Sequence, residues 1–267
     1  MNGWRLGVVA GWLTLAPGLG VTADETNFAA RAIELEGIHG EVSIMPGGSG
    51  NQVQWRHAKG ATAAFNGQLV NGVVRFSPKP GNDGGSSVNV RTEGGVTVVE
   101  SGVGNRVSVN VGHSGTSVDV RSKPPPRLEL VVPKGTTIRA RQSSGKWRIG
   151  DVEGPVEFSL LSGEADIGRV GATMLLLDGA GEIRVSHVTG NLKAVVDGSG
   201  SLHVNDGRLE MLRVTLNGTG DVHVGGVARQ AEVALNGTGN IDIARVAEKP
   251  VVMREGVGDV IIGGWER

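Results

Sequence analysis

His203, His223 and Asp242 stand 20 and 19 residues apart. Two imidazoles and a carboxylate form a ligand set for a divalent cation when the chain folds them together. Arg148, Asp166 and Arg184 precede them at intervals of 18 and 18 residues, with 19 more to His203. Guanidinium and carboxylate groups in alternation suit a polar or charged ligand. With Glu182 they also supply the charges that a polysaccharide lyase or hydrolase draws on. A second series, four acids and one amide, directly follows a Gly each time: Glu164, Glu182, Asp221, Asn240 and Asp259. Calcium-binding rolls repeat every nine residues and set Asp two places beyond the second Gly. Here the interval is near 19 and the acid is adjacent, so the series reads as solvation of a corner. Asn217-Gly218-Thr219 and Asn236-Gly237-Thr238 fit the glycosylation acceptor pattern and read as turn residues. The sequence contains no Gly-x-Ser-x-Gly elbow, Walker A loop or His-Glu-x-x-His.

Equal intervals between reactive residues require a repeating element. Gly145, Gly163, Gly181, Gly200, Gly220, Gly239 and Gly258 each open a short alternating run, at spacings of 18, 18, 19, 20, 19 and 19. Two residues after each Gly lie Trp147, Ala165, Ile183, Leu202, Val222, Ile241 and Val260. Two further on lie Ile149, Ile167, Val185, Val204, Val224, Ile243 and Ile262. A period of two is a strand with one buried face. The residue between the apolar columns varies: Arg148, Asp166, Arg184, His203, His223, Asp242, Ile261. That column faces water, and the ligand candidates all sit in it. The variation favours a solvated binding face over a metal site, with His203, His223 and Asp242 as the metal alternative.

After a bend, Val152, Val170, Val188, Val227 and Val246 supply a third inward position. Val156/Phe158/Leu160, Leu192/Ala194/Val196, Leu212/Val214/Leu216 and Ala231/Val233/Leu235 supply a second strand. Two strands and two tight corners account for 18–20 residues, one coil of a parallel β-solenoid. Asp178, Asp197, Asn217 and Asn236 precede the corner Gly residues, where Asx side chains bond their own turns.

The chain has 267 residues, 45 of them Gly, with neither Cys nor Tyr; aromatics make up 3%. A narrow coil interior explains the scarcity of aromatics and the excess of Gly together. A net charge of −1 and pI near 6.6 exclude a basic nucleic-acid footprint. Zero Cys excludes disulfides, thiolate metal sites and Cys nucleophiles.

Residues 1–23 read as a secretory signal peptide: Arg5, an apolar run from Leu6 to Leu15, and Val21-Thr22-Ala23 before Asp24. No later stretch reaches the 18 or so apolar residues of a transmembrane helix, so the expected protein is exported, periplasmic or at the cell surface. Gly40-Glu41-Val42-Ser43-Ile44 matches the repeat core, and Leu128-Glu129-Leu130-Val131-Val132 restarts the β pattern. Residues 24–126 are expected to be an irregular β region or solenoid cap, and 127–267 the regular coils. Asn27–Leu35 has room for one helical turn at most. The Val260–Ile262 strand either pairs with another chain or is capped by Gly263-Gly264-Trp265.

The degenerate Gly-Ser/Thr-Gly-Asp/Asn units from Leu128 to Val170 and from Asp178 to Gly263 resemble the bacterial auto-transporter adhesin head, or GIN-domain, group. That resemblance implies an extracytoplasmic β-solenoid and brings no catalytic residues to carry over. The expected protein is all-β, a single-stranded parallel β-solenoid without cofactor. It is non-catalytic and adhesin-like, and its outward column binds envelope polysaccharide or a protein partner. A β-helix carbohydrate-active enzyme and an envelope assembly component are the alternatives.

Overall fold

The computed structural model describes residues 23–47, 50–58, 64–79, 88–93, 96–101, 105–112, 115–122 and 125–265. The leader expected in residues 1–23 lies outside them, except for Ala23. Among the described residues there is no helix; Asn27–Leu35 runs in two strands, Ala23–Ala29 and Ala32–Glu36.

The two alternating columns stack as a parallel sheet, here called the front row. Its strands follow one another in register through Thr137–Ile149, Val156–Val170, Thr173–Val196, Ser201–Leu216, Asp221–Val224, Ile241–Ile243 and Val260–Ile262. Trp147, Ala165, Ile183, Leu202, Val222 and Ile241 are at most 1% exposed. Ile149 through Ile243 in the next column are at most 2% exposed. Each such aliphatic side chain contributes about 1.5–3 kcal/mol by leaving water. A coil therefore holds only when its neighbours bury both faces of its stack.

The second strands form a back row, in which Val156 pairs with Ile138 and Thr173, and Leu212 with Leu192 and Ala231. The corners between rows stack on glycine. At Gly163, Gly200, Gly220 and Gly239 a Cβ would run into the carbonyl oxygen of the corner Gly one coil earlier. Close approach of backbone to backbone is what the corner requires.

The third inward position holds at Val152, Val170, Val188 and Val246, each at most 2% exposed. Val227 departs from it: it is 41% exposed, and Ala228, at 2%, takes the inward place. The cause lies one coil earlier, where the repeat lengthens to 20 residues. Gly207 stands opposite Val188, and the ladder shifts register after Gly190, which pairs with Leu209. Leu209, 4% exposed, fills space beside the missing Gly207 side chain. Ala228 then pairs with Leu209 rather than with Gly207.

The solenoid begins earlier than residue 127. Ala32–Glu36 pairs in parallel with Thr137–Arg141 in the back row. His39–Pro46 lies in the front row between Arg127–Val132 and Thr137–Ile149, parallel to both. Residues 32–46 are thus a coil, and the chain between Pro46 and Arg127 is inserted after it. The insertion breaks the interval of 19, so the upstream coil falls outside the periodic pattern.

The same region also closes the stack. In the front row Gln52–Ala58 runs antiparallel to Arg127–Val132, and Ala23–Ala29 antiparallel to Gln52–Ala58. In the back row Val73–Pro78 continues the parallel order, and Phe65–Val70 ends it antiparallel. Aromatic rings fill this end: Trp55 and Phe28 meet Phe76 edge-on, with centroids 5.4 and 6.3 Å apart. Two further hairpins, Val88–Glu93 with Val96–Ser101 and Asn105–Gly112 with Gly115–Ser122, form sheets of their own. At the other end Val251–Arg254 and Val260–Ile262 pair on one side only among the described residues. Val251, Val252, Met253, Val257 and Ile261 are 44–73% exposed there.

Candidate functional site

Because the strands are parallel and in register, residues of equal rank in successive coils stand opposite one another. All six residues of the outward column meet in this way. Arg148 pairs with Asp166, Asp166 with Arg184, Arg184 with His203, His203 with His223 and His223 with Asp242, before Ile261 ends the series. Rungs of a β ladder are about 4.8 Å apart. The result is one straight charged ladder on the front row.

The ladder continues upstream through residues that periodicity did not identify. Arg148 also pairs with Ser43, Ser43 with Glu129, Glu129 with Arg56, and Arg56 with Glu25. The match of Gly40–Ile44 to the repeat core is a signal that places Ser43. Arg56 and Glu25 lie on antiparallel strands outside the repeat, where no spacing could find them.

Within the ladder the groups are unequally occupied. Arg184 is bonded to Glu182 at 2.5 Å and stands 3.9 Å from Asp166. His223 Nδ1 lies 3.1 Å from Asp242 Oδ2, and its ring is 5.8 Å from that of His203 at a tilt of 39°. Arg148 has no hydrogen bond or ion pair among the described residues.

Two parallel columns flank the ladder. On the Gly side run Arg127, Glu41, Lys146, Glu164, Glu182, Ser201 and Asp221. Arg127 donates to Glu41 at 2.7 Å, and this bond raises the guanidinium pKa above its ordinary value. Asp221 accepts from the backbone of Asn240, and Asn240 from that of Asp259. Asp221 and Asn240 are thus tied into corner hydrogen bonds, while Glu164 and Glu182 face Lys146 and Arg184. On the other side the column is small: Gly150, Gly168, Ser186, Asn205 and Gly225. Beyond it, Asp151 accepts from the backbone N–H and the guanidinium of Arg169 at 2.8–3.0 Å. Those bonds, the backbone one foremost, hold the Asp151 carboxyl below the usual carboxylate range. His187 Nδ1 meets Asp206 at 3.1 Å one corner further along.

The small column leaves a shallow concavity of about 290 Å³ beside the ladder. Arg148, Asp166, Arg184, Gly150, Gly168, Ser186 and Asn205 line it, with Met45 at one end. A broader groove of about 510 Å³ follows the opposite corner, along Asp197, Asn217, Asn236 and Glu255. There Asn217 donates to Asp197 at 2.5 Å and Asn236 to Asn217 at 2.8 Å. The side-chain amides of the two acceptor-pattern asparagines are thus engaged with each other.

As a metal set, His203, His223 and Asp242 fall short: no group of three or more His, Asp or Glu with cation-holding geometry occurs among the described residues. The His223 nitrogen that faces Asp242 is in a hydrogen bond, and His203 presents its ring to the neighbouring imidazole. Among the described residues no helix is long and apolar enough to cross a membrane.

Residues 168–263 match the family described as "Putative auto-transporter adhesin, head GIN domain". The fold is that of a solved "putative adhesin" from Bacteroides fragilis, at TM-score 0.50 and 11% identity over 90% of this chain and 97% of that one. A "putative lipid binding protein" and a "putative adhesin", both from Parabacteroides distasonis, align over 90% of this chain and 96% of theirs. Each is 12% identical, and their TM-scores are 0.39 and 0.37. No curated protein matches the chain.

Proposed function

With residues 168–263 a GIN-type adhesin head segment, we propose that this chain is an exported, non-catalytic, adhesin-like protein. Its front-row ladder of Arg148, Asp166, Arg184, His203, His223 and Asp242 is the binding face for envelope polysaccharide or a protein partner. One observation carries the reading: six polar residues separated by 18–20 positions in sequence stand on consecutive rungs of one rigid sheet. A ligand with its own linear repeat meets a polar or charged group at each rung. Repeat scaffolds bind through such extended surfaces. Short corners supply no walls around a substrate, and this supports binding rather than turnover.

The test is retention of the purified chain from Asp24 onward by immobilised envelope polysaccharide and envelope protein fractions, with and without chelator. Saturable, chelator-insensitive retention is expected, reduced when Asp166 and Arg184 are both replaced by Ala. Retention by neither fraction overturns the reading. Release of reducing or unsaturated ends from a polysaccharide panel overturns its non-catalytic part.

A further inference from the structure

We propose that the concavity at Arg148, Asp166 and Arg184 is a subsite for a carboxylate-bearing sugar unit of an acidic polysaccharide. The proposal rests on the binding-face reading above and names its ligand class. The other cation on the lining, Arg184, has Glu182, and in the flanking columns Lys146 has Glu164 at 3.7 Å and Arg169 has Asp151. Arg148 alone on this face lacks one among the described residues, and its side chain is exposed at the rim. A planar guanidinium takes a carboxylate through two parallel hydrogen bonds.

The second element is a row of unused neutral hydrogen-bonding groups. The side chains of Ser186 and Asn205 are exposed and make no hydrogen bond among the described residues. They lie on the second and third rungs beyond Gly150 in the same small column, on the concavity's lining. Arg148 and Asn205 are thus about 14 Å apart along the ladder axis, three rungs of 4.8 Å. Asp166, between them, accepts from hydroxyl groups. Acid, hydroxyl and amide partners in a line fit an extended sugar chain laid along the ladder.

The third element is the floor. Gly150 and Gly168 offer only backbone there, and neither site admits a side chain without displacing the adjacent coil: a Cβ on Gly150 would press on Pro46, and one on Gly168 on Asp151. A protein ligand would call for aromatic anchor pockets, and no aromatic residue lines this concavity, whose apolar lining is Met45, Ile149 and Ile167.

The experiment is calorimetric titration of the full chain with polygalacturonate, its methyl ester, dextran and polyglutamate. Polygalacturonate is expected to bind saturably. Arg148→Gln is expected to weaken it about tenfold, and Asn205→Ala by a smaller factor. Lys193→Gln replaces an exposed, equally unpaired cation on the back row and is expected to leave binding unchanged. Both Arg148 and Lys193 are exposed, and unaltered melting of each variant shows that folding is intact. Equal binding of the methyl ester or dextran, equal loss in both charge variants, or polyglutamate binding as tightly would each overturn the carboxylated-sugar assignment and leave the wider binding face standing. An absence of polygalacturonate binding alongside retention by an envelope fraction has the same meaning.

Discussion

At the scale of single residues, position on the rung decides what a substitution costs. Val224 is 1% exposed and His223 beside it is partly exposed. Val224→Asp puts an unpaired charge in a dry column and is expected to cost several kcal/mol. His223→Ala removes one exposed pair with Asp242 and is expected to change stability by less than about 0.5 kcal/mol. Urea denaturation of both variants checks the contrast; a large loss at His223 would restore the metal alternative. Glycine is as position-dependent. Gly220→Ala sets a Cβ against the Gly200 carbonyl and is expected to cost about 2–3 kcal/mol. Gly72, at φ +77° with open space around it, is expected to tolerate Ala at about 1 kcal/mol. At Asp151 the effect is electrostatic. Its depressed pKa means that the stabilisation is complete at neutral pH and is lost as pH falls through and below the usual carboxylate range. Asp151→Asn should lower stability at pH 7 by less than about 1 kcal/mol, given 40% side-chain exposure. The deficit should vanish in acid, which a pH series of melting curves would show.

Strands and corners are where sequence and structure part company in an instructive way. The front row was legible because one face is dry and the other wet, so apolar residues at Gly+2 and Gly+4 mark every strand from Trp147 to Ile262. The outward ladder followed from the same register. Val227 was misplaced because a bulge changes which residue of a corner points inward, and the compensating side chain, Leu209, sits in another strand. The coil at residues 32–46 carried the right local pattern in Gly40–Ile44, but its parallel neighbour lies beyond the insertion. Pairing across that distance leaves no mark in local spacing. The site's concavity was illegible for a related reason: Gly150, Gly168, Ser186 and Asn205 are unremarkable singly and become a floor only when stacked. Irregularity also leaves a trace in the bulge of Thr137–Ile149, where Gln142 has φ +53° and the fully buried Ser143 hydroxyl has no hydrogen-bond partner among the described residues. Ser143→Ala is expected to stabilise the chain by about 1 kcal/mol, measurable as a raised denaturation midpoint.

For the molecule as a whole, each coil meets only its neighbours, so stability is distributed along one axis. The aromatic end under Trp55 and Phe76 is closed by antiparallel strands, while the last coil leaves Val252, 44% exposed, at the position where Val233 is fully buried. Amide exchange is expected to be slowest in Val156–Leu216 and fastest in Val251–Ile262, and a flat profile would contradict additive coil stability. The insertion after Pro46 bears on how such a stack comes into being. Most coils pair with a neighbour about 19 residues away, but Val42 must find Trp147, 105 residues on. Closing that loop costs about 1.5 kcal/mol more than closing one coil. On a ribosome Val73–Pro78 emerges early enough to cover Ala32–Glu36, but the front strand His39–Pro46 waits for Arg127–Val132 and Thr137–Ile149. The front row should then be completed from the downstream coils backwards, against the direction of synthesis, with His39–Pro46 the last of its parallel strands to dock.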